Sequence, residues 1–420
     1  MKTASIPLAA LVSILLLPVC ANALTAAGYY NRGVEKQRKG DLDGAMADYE
    51  RALELNPKDA NAYSNRGVIK RDKGDLAGAL ADYESAIKFN PKMALAYVNR
   101  GVIKRDKNDL DGAIADYNRA IELAPWDVSA YVHRGLVNPR KGDLDGAIAD
   151  YDHALELNPK DASSYNNRGI AKSEKGDLDR ALPDYDRAIE LNPTEANTYN
   201  NRGVVKYKKG DLDGAIADLD RSIELDPKDA NARNNRGNAK RDQNDLEGAL
   251  ADYNSAIDLD PKQANTYLSR GNIKNVMRRW ADAATDYQRT CELSERGQDY
   301  PRIFIWLIRA RLGETEAASK DLADYLAKRW KAAPGDWVSK VAGHLLGTVT
   351  EADLFAAAAS PNAATERGQY CEAWYYTGLK KLLAGDKPTA AACFKKSLAT
   401  DQKDFFEYQF AAAELKALSP

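Results

Sequence analysis

The sequence predicts an all-α fold: a right-handed superhelical solenoid of antiparallel helix hairpins with a C-terminal capping helix. The first observation behind this prediction is an Arg-Gly pair that recurs every 34 residues, with no residue gained or lost over eight copies. A fixed period of this size is typical of a solenoid, because each unit buries its apolar face only against its neighbours. The pairs are Arg32-Gly33, Arg66-Gly67, Arg100-Gly101, Arg134-Gly135, Arg168-Gly169, Arg202-Gly203, Arg236-Gly237 and Arg270-Gly271.

The second observation is that capping and turn residues divide each copy into two helices, as in copy two, from Ala60 to Met93. Asp59 stands before the first helix and is predicted to accept hydrogen bonds from its free backbone N–H groups. Gly74 is predicted to end that helix, because glycine readily takes the left-handed conformation of a C′ residue. Asp75 is predicted to cap the second helix, and Pro91 to end it. Each copy therefore reads as a helix–turn–helix hairpin.

Small and aromatic residues at fixed places in the hairpin resemble those of a known family. The small residues let the two helices approach closely, and the aromatic residues fill the space that they leave. The order aromatic, Gly, Ala, aromatic, Ala, Pro resembles the tetratricopeptide repeat pattern. Copy two gives it as Tyr63, Gly67, Ala79, Tyr83, Ala86 and Pro91. Three later copies depart from it, with Leu219 and Ser222 in copy six, Arg233 in copy seven, and Thr290 and Glu295 in copy eight.

Residues 1–23 have the features of a secretory signal peptide. A lysine precedes a short apolar stretch, and an A-x-A cleavage sequence ends at Ala23. We expect cleavage after Ala23, which predicts a periplasmic or secreted chain. The alternative is an outer-membrane lipoprotein anchored at Cys20, although a bacterial lipobox prefers a small residue at the position of Val19. We expect membrane association only through that lipidation.

The charged-residue content argues against a nucleic-acid-binding function. Charged residues make up 29% of the chain, and the formal net charge is −2. A general nucleic-acid-binding protein would be clearly basic, so we expect no nucleic-acid partner. The mature chain keeps an odd number of cysteines, Cys291, Cys371 and Cys393. Packing in the core is the preferred interpretation of the last two, and a disulfide between them is the alternative.

The regular rhythm ends after the eighth copy. We expect eight repeats over residues 26–297 and a degenerate helical hairpin over residues 302–330. An irregular helical insertion follows over residues 331–370, where Pro-Gly and Ser-Pro pairs interrupt the pattern. A further tetratricopeptide-like repeat is expected over residues 371–403. Residues 404–420 carry one apolar stripe at helical spacing and are predicted to cap the open end of the stack.

The C-terminal half carries a second resemblance, over about residues 197–418. A Trp-bearing hairpin, a linker rich in Trp and Lys, a repeat, and Phe406-Glu407-Tyr408 follow one another in an order that resembles the new-lipoprotein-I family of bacterial envelope adaptors. The resemblance implies an adaptor at the outer membrane that brings cell-wall hydrolases to a periplasmic processing protease. The chain differs from that family in its longer array and its poor lipobox.

A row of asparagines is the main candidate for a ligand site. In tetratricopeptide superhelices the first helix of each pair lines the concave groove, and the residue before the Arg-Gly pair points into it. An asparagine amide offers donors and an acceptor that match those of a peptide unit. This arrangement is similar to the asparagine ladder in the nucleocytoplasmic O-linked N-acetylglucosamine transferases. The candidate peptide-binding residues are Asn31, Asn65, Asn99, Asn167, Asn200, Asn201, Asn234, Asn235, Asn238 and Asn272.

An alternative interpretation is that the asparagines bond to a neighbouring helix and only space the repeats. First helices become more polar in later copies, so we expect a peptide at copies six to eight. A carboxylate clamp of the chaperone-tail type is not expected, because other residues stand where it needs Lys. Those residues are Tyr30, Ser64, Val98, Val132, Asn166, Asn200, Asn234 and Leu268.

Each Arg-Gly arginine on a first helix recurs with an aspartate on the second helix. We interpret these residues as a structural ion-pair ladder, in which an exposed pair would contribute about 0.2–1 kcal/mol. The alternative is a row of arginines that grips acidic partners. The aspartates are Asp48, Asp82, Asp116, Asp150, Asp184, Asp218, Asp252 and Asp286.

Pro139 and Pro183 fall inside predicted helices, so we expect local kinks there. His133 and His153 share copy four, but two histidines are too few for a metal site. We therefore predict no metal and no cofactor.

The sequence contains no recognisable catalytic motif, so we predict a non-enzymatic scaffold or adaptor. Its concave surface would bind peptides or envelope enzymes. One alternative is a regulatory subunit or enzyme with its active site in residues 331–370, and another is a purely structural homo-oligomer. The enzyme hypothesis depends on Asp336, Ser339, His344 and Glu351.

Overall fold

The computed structural model describes residues 24–294, 297–329, 335–403 and 405–418. The predictions for residues 1–23, including lipidation at Cys20, lie outside the described residues, as do those for Glu295. Every regular element in the described ranges is a helix, which confirms the all-α prediction. Contacts divide the chain into two compact units, one ending at Arg180 and the other beginning at Ala181.

The first unit consists of consecutive helix pairs, one pair for each copy of the repeat. Most contacts between helices in this unit join the two helices of a pair, and fewer join one pair to the next. Its helices are α1 (Ala26–Arg38), α2 (Leu42–Leu55), α3 (Ala60–Asp72), α4 (Leu76–Phe89), α5 (Ala94–Asp106), α6 (Leu110–Leu123), α7 (Val128–Val137), α8 (Leu144–Leu157) and α9 (Ala162–Glu174). Helix α10 (Leu178–Leu191) spans the boundary between the units.

The second unit continues the paired helices and ends in a more compact group. The pairs are α11 (Ala196–Lys208) with α12 (Leu212–Leu225), α13 (Ala230–Asp242) with α14 (Leu246–Leu259), and α15 (Ala264–Val276) with α16 (Trp280–Leu293). The later helices are α17 (Asp299–Arg311), α18 (Thr315–Arg329), α19 (Trp337–Leu346), α20 (Glu351–Ala358), α21 (Ala363–Leu383), α22 (Lys387–Leu398) and α23 (Phe406–Leu418).

The caps of copy two follow the sequence prediction. Asp59 accepts hydrogen bonds from the first backbone N–H groups of α3, and Asp75 accepts one from the N–H of Gly78 in α4. Gly74 has a φ of 83°, the left-handed conformation expected after the end of α3. These residues fix where each helix starts and stops, and so fix the angle of the hairpin.

A glycine and a tyrosine set the distance between the two helices of a copy. In copy two, a Cβ added at Gly67 would lie 2.8 Å from the Cε1 atom of Tyr83, which is fully buried. Copy six has Leu219 in place of this tyrosine, and a Cβ at Gly203 would lie 3.0 Å from its Cγ. The glycine of the Arg-Gly pair is therefore a packing residue.

The two prolines have different surroundings. Helix α7 ends at Val137, and a short 3₁₀ helix, Asn138–Lys141, contains Pro139. The α-helical hydrogen bonding therefore ends just before Pro139, because proline cannot donate a backbone hydrogen bond. Pro183 lies inside α10, which remains one helix to Leu191, and a kink there stays a prediction.

The segment predicted as irregular contains α19 and α20, and the expected repeat boundary at residue 371 falls inside α21. Helix α21 begins earlier because Asn362 caps it, accepting hydrogen bonds from the N–H groups of Ala364 and Thr365. Cys371 and Cys393 are buried and unpaired, so packing in the core is confirmed and the alternative disulfide is wrong. The Cys371 Sγ lies 3.4 Å from the Ser397 Oγ.

We expect Gly237→Ala to lower the free energy of unfolding by about 1–3 kcal/mol, because the new methyl group would overpack the helix pair. Its Cβ would lie 2.7 Å from the Cε1 of the buried Tyr253. Gly203→Ala is the matched control and should cost less, since Leu219 is not a rigid ring. Urea denaturation of both variants measures the difference, and equal losses would contradict this account of the glycine.

Candidate functional site

An ion-pair ladder joins the first helix to the second in the repeats. Arg66 donates two hydrogen bonds to the Asp82 carboxylate, at 2.9 and 2.6 Å, and Lys70 Nζ lies 2.9 Å from the same group. Asp82 is only 3% exposed. The other pairs are Arg32–Asp48, Arg100–Asp116, Arg134–Asp150, Arg202–Asp218, Arg236–Asp252 and Arg270–Asp286. The structural interpretation is therefore confirmed for these seven copies of the described chain.

Copy four shows how the ladder depends on its second cation. In copy one, the hydrogen bond from Arg32 lowers the pKa of Asp48, with a smaller contribution from Lys36. In copy four, Asn138 stands at the lysine position and its Nδ2 donates to Asp150 Oδ2 at 3.0 Å. Burial then outweighs the Arg134 hydrogen bond and raises the pKa of Asp150. One arginine alone does not offset the cost of burying this carboxylate.

The asparagine row lies on the first helices, where successive copies meet. Asn235 Nδ2 donates to Asn200 Oδ1 at 2.9 Å, which joins α13 to α11. Asn65 Nδ2 donates to the hydroxyl groups of Tyr30 and Tyr49, at 3.3 and 3.4 Å. Asn65 and Asn235 therefore connect consecutive first helices.

Asn238 and Asn272, which follow the Arg-Gly glycine, accept hydrogen bonds from core tyrosines. Asn238 Oδ1 accepts from Tyr253 at 2.8 Å, and Asn272 Oδ1 accepts from Tyr287 at 2.8 Å. Asn272 is 1% exposed, so it has almost no surface for a ligand. These contacts agree with the alternative interpretation, in which the asparagines bond to a neighbouring helix.

The remaining candidates differ in exposure and contacts. Asn31 is exposed, and Asn201 is half-buried. Asn99 is buried, and its Oδ1 accepts from Arg71 at 3.4 Å. Asn167 Oδ1 accepts from the neighbouring Asn166 at 3.4 Å. The Oδ1 of the half-buried Asn234 is shielded from solvent and has no hydrogen-bond partner among the described residues.

A cavity of about 1330 Å³ opens beside the later first helices. Its walls are the C-terminal ends of α11, α13 and α15 on one side and α23 on the other. The side chains that matter most are Tyr207, Arg241, Met277, Tyr408 and Lys416. Sequence reasoning missed this cavity, because it requires α23 to lie against repeats far away in the chain.

Aromatic and charged contacts hold α23 in place. The Arg241 guanidinium lies 5.2 Å from the centre of the Phe406 ring. Phe410 packs edge-on against Phe304, with ring centres 5.4 Å apart, and Glu414 pairs with Arg311. These residues are buried or half-buried, so α23 is an integral wall of the cavity.

Arg241 is itself held in position by its neighbours. Its Nε donates to Asp242 Oδ1 at 2.7 Å, and its Nη2 donates to the Tyr207 hydroxyl at 3.1 Å. The Tyr207 hydroxyl in turn donates to Asp242 Oδ2 at 2.6 Å. This network fixes one aromatic and one cationic group at the edge of the cavity.

Two buried glutamates lie close together, Glu372 on α21 and Glu407 in the first turn of α23. Glu372 Oε2 accepts from the Tyr300 hydroxyl at 2.7 Å and from Trp337 Nε1 at 3.0 Å, and Glu407 Oε1 accepts from the Tyr376 hydroxyl at 2.7 Å. Burial raises the pKa of Glu372 to about 8, with a further contribution from the charge of Glu407. Burial also raises the pKa of Glu407.

The four residues of the enzyme hypothesis have structural contacts. Asp336 caps α19 by accepting from the backbone N–H of Ser339, and it pairs with Arg329. The Ser339 hydroxyl accepts from Arg329, and His344 Nδ1 lies 3.3 Å from the Val349 carbonyl. Glu351 pairs with Lys381. Among the described residues of this segment, no contact joins a nucleophile to a base.

The described ranges contain no group of at least three His, Cys, Asp or Glu side chains arranged to hold a metal ion. They also contain no helix with both the length and the apolar character needed to cross a membrane.

The paired helices, glycine packing and ion-pair ladder agree with the comparison to known families. Models of the TPR repeat, the tetratricopeptide unit, match seven consecutive stretches that together span residues 38–274. The chain belongs to the TPR repeat family. The stretches are residues 38–70, 68–104, 103–142, 139–174, 171–210, 205–241 and 237–274. This TPR array is a protein–protein interaction scaffold.

Solved structures of other TPR proteins are similar to parts of this one. One is YrrB, described as a TPR protein with an unusual peptide-binding site, with 26% identity over 44% of this chain and 95% of that chain (TM-score 0.39). A TPR protein from Parabacteroides merdae is 24% identical over 58% of this chain and 97% of that chain (TM-score 0.47). The Cut9–Hcn1 structure shares only the fold, with 17% identity over 68% of this chain and 56% of that chain (TM-score 0.50). No curated protein gave a significant match.

Replacing the buried aspartate of one ladder pair should destabilise the TPR array strongly. Arg236 pairs with the buried Asp252 and also with Asp220, whose side chain is 49% exposed. We expect Asp252→Ala to lower the free energy of unfolding by about 3 kcal/mol, because it leaves Arg236 and Lys240 without their shared carboxylate. Asp220→Ala should cost less than about 1 kcal/mol. Urea denaturation distinguishes them, and similar losses would disprove the structural role of the ladder.

The buried glutamates predict a pH dependence of stability. The folded-state pKa of Glu372 lies above its ordinary value of 4.5, so the fold prefers the protonated acid. The contribution of Glu372 to the free energy of unfolding is fully present below about pH 4.5 and is lost as the pH rises through about 8. We therefore expect the melting temperature to fall over this range and to fall less in Glu372→Gln. Parallel melting curves for the two proteins would show that Glu372 does not titrate in this way.

Proposed function

We propose that this TPR protein holds an extended peptide segment of a partner against the first helices of copies six and seven. The observation that carries the proposal is the hydrogen bond from Asn235 to Asn200. It uses one N–H of Asn235 and the oxygen of Asn200, and both side chains are half-buried. This bond does not use the Asn200 Nδ2 donor or the Asn235 Oδ1 acceptor. These two groups match the acceptor and donor of a peptide unit.

Neighbouring groups support this location. The Oδ1 atom of Asn234 needs a hydrogen-bond donor, because an unpaired buried polar atom is costly. Asn238 is engaged by Tyr253, so it supports the surface from behind. Asn31, Asn65, Asn99 and Asn167 belong to the first unit and are not needed for the proposed contact.

We further propose that the protein works in the periplasm, either released after cleavage at Ala23 or anchored at Cys20. The signal-like sequence of residues 1–23 supports export. The resemblance of the C-terminal half to envelope adaptors supports cell-wall hydrolases or a periplasmic protease as partners.

The test uses unstructured peptides of unrelated sequence, each with a twin whose backbone nitrogens are methylated. We expect the exported TPR protein to bind several peptides and to bind their methylated twins more weakly, because the twins lack backbone N–H donors. Asn200→Ala combined with Asn235→Ala should weaken binding by about tenfold, the loss of roughly one hydrogen bond in free energy. Fluorescence anisotropy measures each affinity.

The matched control is Asn118→Ala combined with Asn254→Ala. Both asparagines accept a hydrogen bond from a ladder arginine and lie on second helices, so peptide affinity should not change. Unchanged binding in the Asn200 and Asn235 variant would disprove the proposed surface. The intact mass of the exported protein tests the localisation, since a chain that retains residues 1–23 would contradict cleavage after Ala23.

A further inference from the structure

We propose that the cavity beside α23 binds a carboxylate-rich peptide segment, and so selects partners with an acidic tail or loop. This inference deepens the proposed function, because it gives the chemistry of the peptide. One wall of the cavity is α23, which lies outside the matched TPR stretches. The site is therefore made by the meeting of the repeats with the C-terminal helix.

The charged side chains that line the cavity are mostly positive. Its lining contains a single carboxylate, Asp242, which already accepts hydrogen bonds from Arg241 and Tyr207. A ligand with carboxylate groups would therefore meet mostly positive charge, and charge-assisted hydrogen bonds would strengthen its binding. The six cationic residues of the lining are Lys208, Lys209, Arg241, Arg278, Lys403 and Lys416.

Three of these cations lie outside the ion pairs of the described residues. Lys208, Arg278 and Lys416 form no ion pair with any described carboxylate, and all three are exposed. Elsewhere in this unit, arginines on the repeats usually pair with an aspartate or glutamate. Three unpaired cations at the rim of one cavity favour an anionic ligand.

Helix ends bring these cations together. Helices α11, α13 and α15 end at the cavity, and cations are favourable beside the negative end of a helix. That effect accounts for Lys208 and Arg241 in the last turns of α11 and α13, and for Lys416 in the last turn of α23. Lys403, which precedes α23, pairs with Asp401.

The cavity and the proposed peptide surface involve the same first helices. Asn200 lies on α11 and Asn235 on α13, and the last turns of these helices carry Lys208 and Arg241. A peptide that runs along these helices toward their C-terminal ends would therefore reach the basic cavity. Its volume of about 1330 Å³ exceeds the roughly 300–1,000 Å³ of usual small-molecule sites, which favours a peptide segment over a small anion.

A peptide also fits better than a nucleic acid. The whole chain has a net charge of −2, whereas nucleic-acid binding depends on an extended basic surface that neutralises many phosphates. The cavity also offers apolar contacts from Met277 and Ala413, which suit the side chains of a mixed sequence.

The experiment compares two fluorescein-labelled peptides that share one unstructured sequence. One ends in a run of glutamates with a free carboxylate, and its twin ends in glutamines with an amide. We expect the acidic peptide to bind the exported protein about tenfold more tightly, and this preference to shrink as salt is added. Lys208→Glu combined with Lys416→Glu should abolish the preference, as measured by fluorescence anisotropy.

Lys228→Glu combined with Lys262→Glu is the matched control, since it makes the same charge change at exposed turn lysines outside the cavity. This control should keep the preference, and circular dichroism should show both variants folded. Equal affinity for the two peptides, or a preserved preference in the Lys208 and Lys416 variant, would overturn the inference. Tighter binding of a single-stranded oligonucleotide at the same lysines would also overturn it.

The same measurements separate the two proposals. In one outcome, Asn200→Ala with Asn235→Ala leaves the affinity for the acidic peptide unchanged, and the lysine variant abolishes the preference for that peptide. This outcome supports the cavity proposal and disproves the asparagine surface. If the asparagine variant weakens both peptides equally and the lysine variant changes neither, the asparagine surface stands and the cavity fails.

Discussion

The rest of the structure depends on a buried carboxylate that needs cations from the neighbouring helix. Asp82, Asp218 and Asp252 are each no more than 5% exposed, and each is shared by an arginine and a lysine. A buried charge without a partner is far more costly than the pair is stabilising. The ladder therefore specifies how the two helices of a copy align, even though it adds little to net stability.

The ladder also decides which face of the first helix remains for other contacts. Its arginine and lysine are four residues apart and so lie on one face, turned toward the second helix. The asparagine before the arginine can instead bond to the preceding first helix, as Asn65 does to Tyr30 and Asn235 to Asn200. Copy four keeps the Arg134–Asp150 pair although Asn138 replaces the lysine, and the pKa of Asp150 rises.

Local features of the fold were predictable from the sequence, whereas distant contacts were not. The period, the Asp caps and the glycine turns depend on residues close in the chain, and the structure places them as expected. The position of α23 depends on Arg241 with Phe406 and on Arg311 with Glu414, pairs far apart in sequence that no repeat pattern indicates. The basic cavity could not be inferred without them.

The greater polarity of the later first helices has a partly structural cause. In copies two and three, Val68 and Val102 follow the glycine, and the hydroxyl groups of Tyr83 and Tyr117 have no partner among the described residues. In copies seven and eight, Asn238 and Asn272 stand there and accept a hydrogen bond from the tyrosine hydroxyl. Part of the added polarity thus satisfies the core, because a buried hydroxyl needs an acceptor. Asn200 and Asn235 differ from these residues, because they bond to each other and not to a core tyrosine.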